Sequence, residues 1–352
     1  MQAAVPADNA SQTLAVIAHP LGGISMFLSF IVPVFNTEEY LAQCLDSLLA
    51  QDIADYEILC VDDGSTDDSA AILDAYAHSH SNLLVIHQPN SGVAAARNAG
   101  LSAARGKYIW FVDSDDLIRE NVLSMLVRRL EETDCDLLEI GGYQFVRTLS
   151  DEEKAMGSQL PDNVPGPGSV VWRSLIRREF LQRHDLRFRH PELTHGEDGQ
   201  FMYELSMENP RVASLDAPLY FYRLRSGSAE TAASDQSRLR RMQSHAEVAI
   251  IMGKLYAGGR TDARTADRLM ATVWSALYDA AGFPMRQARP VLASLGRQGL
   301  FPMKNPPPVR QTRSYMTDRE DFIGKTFDWL YMHLHKRWGF AAMHLLRRLR
   351  SR

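Results

Sequence analysis

Two acidic clusters stand out in the chain, Val61-Asp62-Asp63-Gly64-Ser65-Thr66-Asp67 and Val112-Asp113-Ser114-Asp115-Asp116. Carboxylates one residue apart on a turn, such as Asp113 and Asp115, can hold a hard divalent cation through oxygen, and such a cation keeps positions open for phosphate oxygens. That chemistry points to a substrate carrying a diphosphate. A lone Asp-x-Asp is also a common helix-capping turn, so the argument depends on where the fold places both clusters.

Each cluster follows a short apolar run. From Phe27 to about Phe145 such runs alternate with amphipathic stretches, the pattern of a βαβ layer with a mostly parallel sheet flanked by helices. Strands are expected at Phe27 to Phe35, Glu57 to Asp62, Leu83 to His87, Tyr108 to Asp113 and Asp136 to Ile140. Tyr40, Leu41, Cys44, Leu45, Leu48 and Leu49 recur at helical spacing, and Asn36 followed by Glu39 suggests a capped helix start. Further crossover helices are expected at Asp67 to His80, Gly92 to Arg105 and Arg119 to Glu132. In open α/β sheets ligands bind outside the carboxyl ends of the strands, so both acidic clusters should face one crevice.

Beyond the sheet the periodicity breaks at Val146 to Ser169, a loop that reads equally as a lid or a surface linker. Helical patterns resume at Val170 to His184 and Glu197 to Glu208, and an aromatic strand is expected at Pro218 to Arg223. After about Ala233 the pattern is all helix: Asp235 to Tyr256, Asp262 to Ala281, Arg286 to Gln298 and Asp321 to the end. The expected organisation is an extension over 1–26, an α/β domain over 27–230 and a helical C-terminal domain over 231–352.

Composition narrows the function. With 352 residues, 45% of them apolar and 23% charged, the chain can bury a core and does not have the makeup of a disordered polymer. Its formal charge of -5 gives no global basic excess for nucleic-acid binding. Cys44, Cys60 and Cys135 each sit in an apolar run, which suits free thiols in a reduced, cytoplasmic compartment. The longest apolar stretch, Ile24 to Phe35, is too short to span a bilayer, and residues 1–23 lack the basic start of a secretion signal. No Gly-x-Gly-x-x-Gly follows the first strand and no P-loop motif occurs, which argues against a dinucleotide enzyme or a P-loop ATPase.

Five ordered motifs between Ser29 and Ser228 resemble the family 2 glycosyltransferases, inverting enzymes of the GT-A fold that use nucleotide sugars. They are Ile31-Val32-Pro33-Val34-Phe35-Asn36 with Glu38 and Tyr40; the Asp62-Asp63 cluster; Asn90 to Gly100 around Arg97; the Asp113 cluster; and Gly196-Glu197-Asp198 with Tyr220-Phe221-Tyr222-Arg223. The resemblance implies that Pro33, Val34, Asn36, Glu38 and one of Asp62 or Asp63 cradle uracil and ribose, a carboxylate accepting the uracil N3 hydrogen. It further implies that Arg97, Asp113 and Ser114 contact the nucleotide sugar, and that Asp115, with Asp113, ligates Mn²⁺ or Mg²⁺ at the diphosphate. Asp198, with Glu197 as understudy, would be the general base. The same two acids would also simply favour a helix N-terminus. His195 and Trp172 are candidates for the acceptor side, although a lone loop His and a Trp at this spacing more often have structural roles.

The implied function is transfer of a sugar from a UDP-sugar to a hydroxyl of a glycan or lipid-linked saccharide, in bacterial surface polysaccharide synthesis. Processive relatives carry Gln-x-x-Arg-Trp; here Leu334 precedes Arg337-Trp338, so one sugar per encounter is expected. From Trp329 onward Lys336, Arg337, Arg347, Arg348, Arg350 and Arg352 alternate with apolar residues and no acid intervenes. This suits a helix lying on the inner face of an anionic membrane, or one packed on the domain with a solvated basic end. Rival readings are a nucleotidyltransferase acting on a sugar phosphate, which would release pyrophosphate, and a non-catalytic scaffold of the same fold.

Overall fold

The computed structural model describes residues 15–16, 26–146, 170–189, 196–223, 235–258 and 283–300, with scattered helical positions between 269 and 280. At its centre are β2 (Leu28–Val34) and β3 (Tyr56–Asp62), in which every residue is buried. Strands covered on both faces read as continuous apolar runs, which is why these two were legible. The acid in the middle of this apolar run, Glu57, takes a hydrogen bond from Ser29 Oγ at 2.7 Å and an ion pair from Arg105 at 2.8 Å, while Asp62 closes β3 at its carboxyl end.

The chain continues through α1 (Glu38–Leu49) after β2, then α2 (Ser69–Ser79), β4 (Leu83–His87), α3 (Val93–Ala103) and β5 (Tyr108–Phe111). α1 buries Leu41, Cys44, Leu45 and Leu48 against the sheet, at about 1.5–3 kcal/mol for each leucine. α3 lies so close to β2 that a Cβ on Gly100 would come within 2.5 Å of Ile31 Cγ2, so only glycine fits there.

Next come β6 (Leu117–Ile118), α4 (Leu123–Thr133), β7 (Leu137–Val146), β8 (Ser174–Arg177), α5 (Arg178–Arg183), α6 (Glu197–Met207) and β9 (Val212–Arg223). With β1 (Ala15–Val16), the described strands form one sheet in the order β1-β4-β3-β2-β5-β8-β7-β9-β6. It is parallel over β4-β3-β2-β5 and mixed beyond, where β8 runs antiparallel to both β5 and β7 while β7 and β9 run parallel. The chain steps outward from β2 to β4, then returns to place β5 on the other side of β2, so strand order reverses between β2 and β5.

Several expectations change. The expected helix at Val170 to His184 divides into a tight turn over Val171–Arg173, then β8, then α5. All four β8 residues are buried, and a short strand covered on both faces shows the same apolar run as a helix segment. The expected helix from Arg119 starts only at Leu123, after β6 and a left-handed Asn121. The Asn36 cap does not form: Thr37 stands at the N-cap of α1, and Asn36 is left-handed at φ 51°. Its side chain instead accepts the Thr66 N–H at 2.7 Å.

The helical region supplies α7 (Asp235–Gly258) and α8 (Met285–Arg297). Met242, Ala246, Ala249 and Met252 of α7 join Leu269, Val273, Leu277, Val291 and Leu295 in an apolar cluster, into which α6 sends Tyr203. Among the described residues no helix is long and apolar enough to cross a membrane. The 147–169 loop, His195 and the basic tail lie outside the described residues.

Candidate functional site

The reversal of strand order marks the crevice. Three loops meet there, following β2, β3 and β5. Asn36 N–H donates to Ser65 Oγ at 3.1 Å, Glu38 N–H to Asp67 Oδ2 at 3.1 Å, and Asp68 N–H to Glu38 Oε2 at 2.7 Å, so the first two loops clasp one another. Thr37 Oγ1 meets buried Ser114 Oγ at 3.1 Å, tying the first loop to the third. Pro33 and Val34 are buried at the end of β2.

Asp62 and Asp63 are both engaged within the protein. Asp63 accepts Gln88 Nε2 at 2.7 Å, Ser91 N–H at 2.9 Å and Gly92 N–H at 2.8 Å, fixing the entry to α3. Asp62 accepts Ser65 N–H at 2.9 Å and pairs with His87 Nδ1 at 2.9 Å, while His87 Nε2 meets Asp74 at 3.1 Å. Partial burial works to lower the His87 pKa, but the carboxylates on its two ring nitrogens outweigh it and raise the value. Gly64 follows at φ +72°, where a Cβ would lie 2.7 Å from Asn90 N, so this sharp exit from β3 requires glycine.

Arg97 occupies the centre of the site. Small residues on α3 let the helix approach the sheet and aim this side chain inward, where it is buried. Nη1 donates to Glu197 Oε1 at 2.8 Å and to Asp198 Oδ1 at 2.5 Å; Nη2 donates to Asp113 Oδ1 at 2.9 Å. One guanidinium thus joins the turn after β5 to the start of α6, and three surrounding carboxylates hold its charge firmly in place. The resemblance implied a contact of Arg97 with the nucleotide sugar; in the structure its guanidinium hydrogen bonds go to these three acids. The guanidinium is the hub around which the acids are set, because three carboxylates compete for a side chain with no solvent face.

The acids respond to this crowding. Burial pushes Asp198 up to about 8, Glu197 and Asp113 adding to the effect and Arg97 opposing it. Asp113 is raised by burial and by Asp115, with Arg97 opposing, and Asp116 is raised well above the usual range by burial and both neighbouring acids. Asp198 stands in the first turn of α6 with its Oδ2 only 3.4 Å from Val171 N–H, a long contact that leaves this oxygen capacity to accept a proton.

Among the described residues, no three His, Cys, Asp or Glu side chains converge as a preformed cation site. The donor set nonetheless suits a divalent ion shared with a ligand. Asp113 and Asp115 place two oxygen-bearing acids on one turn, and Asp113 is raised by burial with Asp115 adding to it. Two carboxylates on a turn leave the remaining coordination to phosphate oxygens and water.

Trp172 is only 6% exposed, and its ring stacks on Tyr220 at 4.4 Å. A sugar platform needs a free ring face, so the structure places Trp172 in the core beneath the site instead. One residue escaped the sequence reading as an individual candidate. Phe35 is 46% exposed at the carboxyl end of β2, one of two large apolar side chains so exposed among the described residues. An aromatic one position beyond an all-apolar strand, next to the crevice loop, was the available signal.

Known proteins share both sequence and fold with this chain. The family model described as glycosyl transferase family 2 matches residues 29–194. The chain is 38% identical over 212 residues to the Bacillus subtilis glycosyltransferase EpsJ, covering 56% of this chain and 60% of that protein's length. It is 33% identical over 221 residues to the glycosyltransferase GlyG of Streptococcus pneumoniae, covering 58% of this chain and 73% of the relative. The structure of S. aureus TarS 1–349 in complex with UDP-GlcNAc superposes with a TM-score of 0.59 over 78% of this chain and 80% of that one, at 24% identity. At that identity the likeness establishes the fold, the GT-A architecture that the motifs implied. With sequence motifs, strand order and relatives all in agreement, the chain belongs to the family 2 glycosyltransferases.

Proposed function

We propose that the protein transfers a sugar from a UDP-sugar, with inversion and one residue at a time, to a hydroxyl of a glycan or lipid-linked saccharide during bacterial surface polysaccharide synthesis. The observation that carries this reading is the convergence of Asp113, Glu197 and Asp198 on Arg97, which sets the diphosphate-side turn and a raised carboxylate against one crevice. The cytoplasmic face of the membrane is the setting this reading favours, with the basic tail beyond Trp329 as the contact.

The nucleotide would enter across the β2 and β3 loops, where exposed Phe35 offers a face to the base and Asn36 and Glu38 line the entry. Asp62 and Asp63 already satisfy internal donors, so their part in reading uracil is to use remaining lone pairs or simply to shape the loop. Asp115, with Asp113, would hold Mn²⁺ or Mg²⁺, which when bound neutralises charge building on the leaving UDP. Asp198 Oδ2 then takes the proton of the acceptor hydroxyl as the hydroxyl oxygen bonds to the anomeric carbon and the bond from that carbon to the UDP oxygen breaks, while Arg97 holds the carboxylate in line. Glu197, sharing Nη1 of the same guanidinium, adds negative charge beside Asp198 and so favours its taking up a proton.

The pH dependence follows from the base. With its pKa pushed up to about 8, Asp198 is mostly protonated at neutral pH, so kcat/KM should rise with pH and level off above about 8. The stability trend has the opposite sign. The folded state retains this proton where the unfolded chain, near the ordinary aspartate value, has lost it, so the contribution of Asp198 to stability declines as pH rises through that window. A flat pH–rate profile from pH 6 to 9 would remove Asp198 from the role of base.

The reading as a whole is tested by titrating UDP into the protein by calorimetry, with and without Mn²⁺, beside Asp115→Ala. Binding that strengthens with Mn²⁺ in the wild type, but not in Asp115→Ala, is the expected result. Absence of UDP binding under both conditions would sink the reading.

A further inference from the structure

Strand β9 reaches across to the acidic turn with two side chains. The Tyr220 hydroxyl donates to Asp116 Oδ2 at 2.8 Å and accepts the backbone N–H of Asp113 at 3.1 Å. Arg223 binds the same turn from the other side: its backbone N–H donates to Asp116 Oδ1 at 2.7 Å and its Nε to the carbonyl of Asp115 at 2.7 Å. Nη2 of Arg223 continues to Gln43 Oε1 of α1 at 2.7 Å, and the guanidinium lies 5.0 Å over the Tyr40 ring. Asp116, Tyr220 and Arg223 of this network are buried.

The network leaves little freedom to the turn. Both oxygens of Asp116 are occupied by donors from β9, so this third acid is engaged in holding the turn. The Tyr220 ring cannot swing, because Trp172 stacks on it at 4.4 Å, and the Trp172 carbonyl is itself held by Trp110 Nε1 at 2.8 Å. The backbone on either side of Ser114 is thereby clamped at two points, the N–H of Asp113 and the carbonyl of Asp115. Fixing those two peptide groups fixes the directions in which the Asp113 and Asp115 side chains leave the chain.

We infer that Tyr220 and Arg223, acting through Asp116, are positioning residues that aim the carboxylates of Asp113 and Asp115 at a bound diphosphate and its cation. The inference rests on the UDP-sugar reading above and adds to it a division of labour within the acidic turn. Two acids face the ligand, and the third anchors the turn to β9. Ligand groups held by a rigid supporting shell bind more tightly than the same groups left to adjust on binding.

Tyr220→Phe is the cleanest test, because it retains the ring that packs on Trp172 and removes only the hydroxyl. Arg223→Lys keeps the charge but cannot reproduce the planar fork that meets Asp115 and Gln43 together. UDP is titrated into the wild type and both variants by calorimetry, with and without Mn²⁺, and thermal unfolding is recorded on the same preparations. The expected result is that the gain in UDP affinity brought by Mn²⁺ shrinks about tenfold in each variant, while affinity without metal stays within about twofold of the wild type. An unchanged gain in both variants overturns the inference. Equal weakening with and without Mn²⁺, in step with a fall in the unfolding temperature, also overturns it, since that is what general loosening of the core would do. A wild type whose UDP affinity does not respond to Mn²⁺ removes the reading on which the inference rests, and that outcome is distinct because it appears before any substitution is made.

Discussion

Replacing Asp198 by Asn is expected to lower transfer by about 10²–10⁴-fold, the usual contribution of a positioned general base, while leaving UDP affinity near the wild-type value. Asparagine keeps the shape of the side chain, and its carbonyl oxygen can still take the Arg97 Nη1 hydrogen that Asp198 Oδ1 accepts. What is lost is the capacity to receive a proton. Glu197→Gln is the control: it shares Arg97 Nη1, so a purely electrostatic effect of losing one charge next to the guanidinium would appear in both variants. If Asp198→Asn retained transfer within about tenfold of the wild type while Glu197→Gln abolished it, the two roles would be exchanged.

The second large effect is on stability. Arg97→Met should destabilise the protein by about 3–5 kcal/mol, because the substitution strands the carboxylates of Asp113, Glu197 and Asp198 without their shared cation. Methionine roughly preserves the apolar part of the side chain, so a lost cavity term contributes little. The deficit should shrink as pH falls. Arg97 is what holds down the already raised Asp113 and Asp198, so without it their folded-state pKa values rise further above those of the unfolded chain and the folded variant binds more protons than the unfolded one across the acid range. Thermal unfolding of the wild type and the variant at pH 5 and pH 8 gives the comparison, and a deficit that is the same at both pH values would show that packing, not charge, accounts for it.

The parts of the fold that sequence made legible are those in which local pattern and tertiary role coincide. β2 and β3 are apolar throughout because both faces are covered, and α1 shows a helical stripe because only one face is. β8 was hidden for a physical reason: four buried residues are too few to show whether their period is that of a strand or a helix. The antiparallel part of the sheet followed it out of reach, since pairing partners such as Trp110 and Leu175 carry no mark of each other in the chain.

The site divides in the same way. Asp113, Asp115, Glu197, Asp198 and Arg97 could be selected by residue type and motif, but the inward turn of Arg97 depends on acids about 100 positions away in the chain. Asn36 looked like a helix cap because Glu39 follows at the right spacing, whereas the competing partner, Thr66, comes from another loop. Trp172 showed an aromatic side chain near the site without showing that Tyr220 covers its face.

The strand order also bears on how the protein forms. The pairings of β4, β3, β2 and β5 lie wholly within residues 28–111: β2 with β3 and β3 with β4 join consecutive strands, and β5 then closes on β2, Tyr108 opposite Leu28. The clamp on the acidic turn comes much later: Arg223 meets Gln43 across 180 positions of sequence. Contacts at such separation bear a large loop-closure entropy and form after local ones. During synthesis the parallel half can therefore assemble first, with its acidic turn still slack, and only the arrival of β9 sets that turn in its working position.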